Sequence, residues 1–160
     1  MPAPLKNLYT PQLIDDLTAR IDSIMPRFDK AGFTEAVLDT GWPDRALKER
    51  MRHISDVLQR YLPADYEEAI EILMAVSPGL NGFEYMFFSD YVERRGLRHF
   101  ETSMRALAHF TPDASAELAV RPFIVQYPDR TIRQMALWAR NPNHHLRRLA
   151  SEGCRPRLPW

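Results

Sequence analysis

The chain has 160 residues and a mass of 18.6 kDa, which is enough for one domain of ordinary size. Apolar residues make up 45% and charged residues 26% of the sequence, which excludes wholesale disorder, collagen-like repeats and disulfide scaffolds. No apolar run approaches the roughly 18 residues that a membrane span needs, and one cysteine cannot form an internal disulfide. We therefore expect a protein of the reducing cytoplasm without a membrane segment.

The net charge of zero conceals an uneven distribution along the chain. Residues 1–120 carry 13 basic and 19 acidic side chains, whereas residues 121–160 carry eight arginines and only two acids. Arginine has a planar guanidinium group that suits phosphate, so the basic end favours a polyanionic partner such as nucleic acid. The same excess of arginine also fits a surface on which these arginines pair with acidic neighbours. Charge alone therefore leaves open whether they bind a polyanion or form salt bridges.

Helical spacing dominates the first half of the chain. Thr10 followed by proline predicts the start of a first helix, and Pro26 predicts its end. Further helices are expected near residues 34–39, from Pro43, and after a cap at Asp65. Their buried faces are marked by apolar residues at helical spacing: Leu13, Ile14, Leu17, Ile21 and Ile24, then Leu47, Met51, Ile54, Leu58 and Tyr61, then Ala69, Ile70, Leu73 and Val76.

The second half continues the helical pattern. Residues 83–95 and 97–110 predict two helices, the first rich in aromatic side chains that are typical of a core. A threonine–proline pair predicts a helix over residues 111–126. The last two helices are expected to start at Asp129 and after Asn141.

No segment shows the alternation of a β-strand, so we predict an all-α chain of about eight helices. Short helices joined by short turns pack antiparallel, and the recurrence of such pairs is typical of an α-solenoid of HEAT-like or ARM-like repeats. We predict one HEAT-like domain over residues 1–160. Because the sequence ends on a bulky aromatic residue, Trp160, where solenoids carry a polar cap, we expect it to be the N-terminal part of a longer solenoid.

The common catalytic motifs are absent from the sequence. It has no glycine-rich phosphate loop, no GxSxG, no CxxC and no HExxH. Cys154 has no neighbouring base in the sequence and is more typical of a small filler near a helix end. We therefore expect neither a metal site nor a cofactor.

The last stretch of the sequence carries the most information. Four arginines in eleven residues surround a single carboxylate, that of Glu152: Arg147, Arg148, Arg155 and Arg157. Gly153 predicts the end of the last helix. Glu152 either serves a functional site or forms a salt bridge to Arg148 or Arg155, and its surroundings favour the salt bridge. Glu117, in the helix predicted over residues 111–126, faces the same choice.

Four segments resemble AlkC-type DNA alkylation repair glycosylases, members of the HEAT-like superfamily that includes AlkD. The resemblance covers most of the chain from about residue 80 onward, and the segments are residues 83–92, 103–104, 115–124 and 147–160. The last segment reads Arg-Arg-Leu-Ala-Ser-Glu-Gly-Cys-Arg-Pro-Arg-Leu-Pro-Trp, a long run of unusual composition.

The resemblance implies hydrolysis of the N-glycosidic bond of cationic N3- or N7-alkylated purines, notably 3-methyladenine, in double-stranded DNA. Such a purine leaves readily, so the protein has to supply negative charge near the sugar and position a water. By match to the family motifs, Glu117 and Glu152 are the predicted catalytic residues, and Trp160 is the predicted contact to the cationic base. The predicted DNA contacts are Arg121, Arg147, Arg148, Arg155 and Arg157.

Other interpretations of these residues stay open. Trp160 can pack between repeats, and Glu117 can pair locally. Members of the family continue past the Leu-Pro-Trp motif into further repeats that carry an aspartate acting on the sugar, and no residue of this sequence takes that role. The alternative function is a non-catalytic HEAT-like module that binds nucleic acid or a protein.

Overall fold

The computed structural model of the protein describes residues 4–156. Within this range it contains nine α-helices, three short 3-10 helices and no strand. The predicted all-α class is therefore confirmed, with slightly more helices than the pattern predicts. All helices in the described range are too short or too polar to span a bilayer.

The chain divides between Pro78 and Gly79 into two compact units. The α-helices of the first unit are α1 (Pro11–Ile24), α2 (Lys30–Val37), α3 (Leu47–Tyr61) and α4 (Tyr66–Val76). Those of the second unit are α5 (Phe87–Arg95), α6 (Phe100–Phe110), α7 (Arg121–Gln126), α8 (Pro128–Trp138) and α9 (His144–Gly153). The 3-10 helices are Leu5–Leu8, Trp42–Asp44 and Phe83–Tyr85. A single HEAT-like domain over residues 1–160 stays a prediction.

Capping side chains start two helices of the first unit where the sequence predicts them. The hydroxyl oxygen of Thr10 accepts a hydrogen bond from Leu13 N at 3.2 Å. The Asp65 carboxylate accepts one from Glu68 N at 2.9 Å. Each bond satisfies an N–H group that the first turn of a helix leaves without an intrahelical partner.

The first unit forms its core between α1 and its neighbours α2 and α4, and between α2 and α3. Most of the predicted apolar faces are buried there: Leu13, Ile14, Leu17, Ile21, Met51, Ile54, Leu58, Ala69, Ile70, Leu73 and Val76. Three predicted residues are not fully buried: Ile24, the last residue of α1, is 39% exposed, and Leu47 and Tyr61 of α3 are half-buried.

Two helices of this unit start at residues other than those predicted. α2 begins at Lys30, earlier than the pattern predicts, because the Asp29 carboxylate caps its first turn. α3 begins at Leu47 rather than at Pro43, which lies in the 3-10 helix just before it.

The second unit packs α5 against α6, α7 against α8, and α8 against α9. Its core is aromatic, as the sequence predicts. Phe87 and Phe88 on α5 are buried, and the Phe88 ring lies 5.3 Å from that of Phe110, measured between ring centroids. Trp138 is also buried, whereas Tyr85 is only half-buried.

The helix predicted over residues 111–126 is wrong in its first part. Residues 111–120 form turns, and α7 starts only at Arg121. In a longer helix, the backbone oxygens of this segment would accept hydrogen bonds from N–H groups four residues later. Instead they accept from other parts of the chain: Asp113 O accepts from Gly82 N at 3.0 Å, and Ser115 O accepts from the Ser89 hydroxyl at 2.9 Å. Glu117 therefore lies in a turn and not on a helix.

A charged pair in the first unit joins the end of α2 to the approach to α3. The carboxylate of Asp39 accepts hydrogen bonds from Arg45 Nη2 at 2.9 Å and from Gly41 N at 3.0 Å. The hydrogen bond from the Arg45 side chain is the main cause that lowers the pKa of Asp39 from 3.8 to about 2.

We expect Asp39→Asn to change how stability depends on pH. A carboxyl group whose pKa falls on folding stabilises the fold above its unfolded pKa, and that contribution is lost as the pH falls through the folded pKa. The difference in free energy of unfolding between wild type and Asp39→Asn should therefore shrink as the pH falls from 3.8 toward about 2. Urea unfolding followed by circular dichroism measures it, and a difference independent of pH would contradict the ion pair.

Candidate nucleic-acid interface

Helix α9 carries most of the predicted site residues, and its start is fixed by asparagine side chains. The Asn143 side-chain oxygen accepts a hydrogen bond from His145 N at 2.9 Å, and Asn143 N donates to the Asn141 side chain at 2.8 Å. Leu149 and Ala150 of α9 are buried, and the helix packs against α8. These contacts hold the helix in one orientation, so that its arginines and Glu152 have defined neighbours.

Gly153 ends α9, as predicted, and the backbone at this glycine closely approaches another segment. A Cβ atom at this position would lie 2.7 Å from Val120 Cγ1 and 3.0 Å from Met135 Cε. Only glycine fits there without a shift of its neighbours. The end of α9 is thereby seated directly on residues 117–121, which we call the 117–121 segment.

Glu117 begins this segment, and its side chain is buried beside α9. Only 5% of the residue is exposed. Its Oε1 lies 3.3 Å from Arg148 Nε, whereas the Arg148 side chain itself is 65% exposed. Its Oε2 is buried and has no hydrogen-bond donor within the described range. Because a buried acceptor without a donor costs free energy, this oxygen is one that a ligand group can satisfy.

Glu152 forms one of the two salt bridges that the sequence leaves open for it. Its Oε1 lies 3.1 Å from Arg155 Nη2, and the Arg155 side chain is 58% exposed. Glu152 itself is half-buried. Both predicted catalytic acids are thus paired with arginines that are predicted to contact DNA.

The neighbours Arg147 and Arg148 extend toward different partners. Arg147 Nη1 donates to the backbone oxygens of Asn141 and Pro142, at 2.9 and 2.7 Å, and so holds the loop before α9. Arg148 pairs with Glu117 instead. The sequence alone does not show which of these two adjacent arginines pairs with Glu117.

Arg121, the first residue of α7, also contacts backbone oxygens. Its Nη2 donates to Arg155 O at 3.0 Å and to Pro156 O at 2.9 Å. The sequence does not predict these bonds, because every residue carries a backbone carbonyl group and residue types therefore do not show which carbonyl accepts.

The remaining predicted site residues, Arg157 and Trp160, lie outside the described residues. Between residues 4 and 156, no group of three or more His, Cys, Asp or Glu side chains is arranged to hold a metal ion. Cys154 is exposed at the end of α9. The site described by the structure is therefore built from two Glu–Arg pairs and two arginines bonded to the backbone.

Comparison with known proteins identifies two close relatives, although no family model matches the chain. The sequence is 43% identical over 158 residues to the uncharacterized protein YhaZ of Bacillus subtilis (strain 168), covering 99% of this chain and 44% of that protein. The fold is similar to that of the Pseudomonas fluorescens alkylpurine DNA glycosylase AlkC, solved bound to DNA containing an abasic site analog. That match has a TM-score of 0.92 and 36% identity, and covers 99% of this chain and 44% of AlkC.

The predicted resemblance to AlkC-type proteins is therefore confirmed, and it extends over the whole chain rather than only from residue 80 onward. The chain spans less than half the length of both relatives.

We expect Gly153→Ala to destabilise the protein by about 1–3 kcal/mol, the usual cost of forcing an extra methyl group into a filled space. The added Cβ would meet Val120, whose branched side chain has little freedom to move away. Urea unfolding followed by circular dichroism gives the change in free energy.

The matched control is the double variant Gly153→Ala with Val120→Ala, which removes the obstructing methyl groups. The double variant should be less destabilised than the sum of the two single variants. A Gly153→Ala protein as stable as wild type would show that α9 does not depend on this close approach.

Proposed function

Since the chain is AlkC-like in sequence and fold, we propose that it acts in DNA alkylation repair as a DNA N-glycosylase. Its substrates would be cationic N3- or N7-alkylated purines in double-stranded DNA, 3-methyladenine among them. The proposal includes a location in the bacterial cytoplasm, at the nucleoid. Because the relatives are about twice as long, we assign this activity to the complete protein and test separately whether these 160 residues suffice.

The observation that carries the proposal is the carboxylate of Glu117. One of its oxygens is buried without a donor, and the other lies beside an exposed arginine. A duplex whose phosphate met Arg148 would approach this carboxylate closely. The pair thus combines a DNA contact with a fixed negative charge next to it.

That combination suits the departure of an alkylated purine. The bond between the purine nitrogen and C1′ breaks, its electron pair goes to the purine, and the cationic base leaves as a neutral molecule. Positive charge then develops on the sugar, and a carboxylate stabilises it. Water adds to C1′ and gives up a proton, which leaves an abasic site. In this proposal Glu117 and Glu152 supply the negative charge and position the water, and no cofactor takes part.

The exposed arginines are proposed to contact the phosphates. Arg148 and Arg155 present most of their side chains to solvent, which suits a phosphate contact. Each is paired with a glutamate, so DNA would compete with that glutamate for the guanidinium group. Arg147 and Arg157 are further proposed contacts, and Trp160 is the proposed contact to the cationic base.

A second candidate function is DNA binding without catalysis. Both glutamates are ion-paired with arginines, which is also the arrangement of a binding surface whose charges are simply balanced. This candidate requires no carboxylate for its function, so carboxylate variants separate the two.

The proposed reaction predicts that the protein releases free 3-methyladenine and 7-methylguanine from methylated duplex DNA. We expect Glu117→Gln and Glu152→Gln each to lower the single-turnover rate of release by at least about tenfold, because each removes negative charge that stabilises the sugar in the transition state. DNA affinity, measured by fluorescence anisotropy, should change much less.

The assay is run on the 160-residue chain and on the same chain extended to the length of its relatives. Release only by the extended chain would mean that catalysis needs the further residues. No release by either folded chain, or release unaffected by both glutamine variants, would overturn the glycosylase proposal and favour the binding module.

Salt dependence tests the proposed phosphate contact of Arg148. Each phosphate that a cation neutralises adds about 0.9 to the slope of log affinity against log salt concentration. Arg148→Ala should lower that slope by about this amount. The control is Arg133→Ala, which removes an exposed arginine of α8 that lies outside the proposed site. Equal slopes for wild type and Arg148→Ala would exclude the contact.

A further inference from the structure

Helix α9 and the residues that follow it contact the 117–121 segment at three successive points. Near the middle of α9, Arg148 pairs with Glu117. At the last residue of the helix, Gly153 lies directly against Val120. Just beyond the helix, the backbone oxygens of residues 155 and 156 accept hydrogen bonds from Arg121.

The last of these contacts lies beyond the end of α9 and holds the backbone of residues 155 and 156. Gly153 ends the helix, so residues 154–156 no longer have the hydrogen-bond ladder of α9 to fix them. Arg155 N donates to Glu152 O at 3.1 Å and keeps one turn. The guanidinium group of Arg121 then bonds two consecutive carbonyl groups from a single nitrogen, at 3.0 and 2.9 Å.

We propose that Arg121 is a positioning residue, which holds the backbone of residues 155–156 after the end of α9 and thereby fixes the position from which the Arg155 side chain extends. It acts through this backbone instead of binding a phosphate itself. Arg121 is half-buried, whereas Arg148 and Arg155 are exposed. The burial of Arg121 therefore suits hydrogen bonds within the protein better than a contact to a phosphate at the surface. Arginine suits this role because its charged N–H donors form stronger hydrogen bonds to carbonyl oxygens than neutral donors do.

The first test measures the mobility of the braced segment without DNA. Cys154 is the only cysteine of the sequence and is exposed, so a nitroxide label attaches at one site, next to the braced carbonyl groups. We expect Arg121→Met, which keeps an apolar side chain but loses the donors, to shorten the rotational correlation time of the label by at least about twofold. Arg121→Lys keeps a charged donor and should restore part of the slow motion. The control, Arg133→Met, should leave the spectrum unchanged.

An Arg121→Met spectrum identical to that of wild type would overturn the proposal. If Arg121→Met does not fold, as judged by circular dichroism, the same comparison is made with Arg121→Gln, which is polar but too short to reach both carbonyl groups. An unchanged spectrum for the glutamine variant would overturn the proposal equally.

The second test asks whether Arg121 acts on DNA through the braced segment, and this part rests on the proposed function. Affinity for a duplex with an abasic-site analogue is measured for Arg121→Met, Arg155→Ala and the double variant. If Arg121 acts by positioning Arg155, the effects of the two substitutions on affinity are not independent. Arg121→Met should then weaken DNA binding severalfold in the wild-type background and much less in the Arg155→Ala background.

The alternative result is that the fold-change in Kd of the double variant equals the product of the two single-variant fold-changes, to within about a factor of two. That result would mean that Arg121 binds its own phosphate, and it would overturn the positioning role. Failure of the proposed function is seen separately, since it would appear as an absence of DNA binding by the wild-type chain. In that case the label spectra still decide whether Arg121 fixes the chain after α9.

Discussion

The geometry of the candidate site depends on the packing of α9 against the 117–121 segment. This contact is possible because position 153 is a glycine, whose lack of a side chain lets the helix backbone meet Val120. Once the two segments touch, a carboxylate on one side and arginines on the other lie within bonding distance, as the 3.3 Å separation of Glu117 and Arg148 shows. The charged groups thus lie on two segments that are in direct contact at Gly153, and a methyl group at this position would force a neighbouring side chain to shift.

Two Glu–Arg pairs give this surface its chemical character. An exposed arginine beside an acid gains little stability from the pair, because solvent screens the attraction and the side chains lose freedom. The Glu152–Arg155 pair, whose arginine is 58% exposed, is therefore poorly explained as a device for stability alone. In our proposal they serve function: DNA phosphates take over the arginines, and the glutamates then face a cationic base and a sugar that becomes positive. The buried oxygen of Glu117 is the feature that a purely structural ion pair leaves unexplained.

The parts of this structure that depend on local sequence could be predicted, and those that depend on distant contacts could not. Thr10 and Asp65 cap helices because their side chains reach N–H groups three residues away, a relation visible in the sequence. The sequence predicts a helix where residues 111–120 form turns. The groups that donate to the backbone oxygens of these turns, Gly82 N and the Ser89 hydroxyl, lie about thirty residues away in the sequence. The salt bridge of Glu152 to Arg155 was among the predicted alternatives, whereas the bonds of Arg121 to two carbonyl groups were not.

The most direct test of the account is an NMR titration of the 15N-labelled chain with a duplex that contains an abasic-site analogue. We expect the largest chemical-shift changes on the backbone amides of the 117–121 segment and of residues 147–155, together with the side-chain Nε–H signal of Arg148. Shift changes concentrated in residues 4–78, with the 117–121 segment and α9 unchanged, would contradict it, because DNA would then bind a surface that holds neither of the proposed catalytic acids.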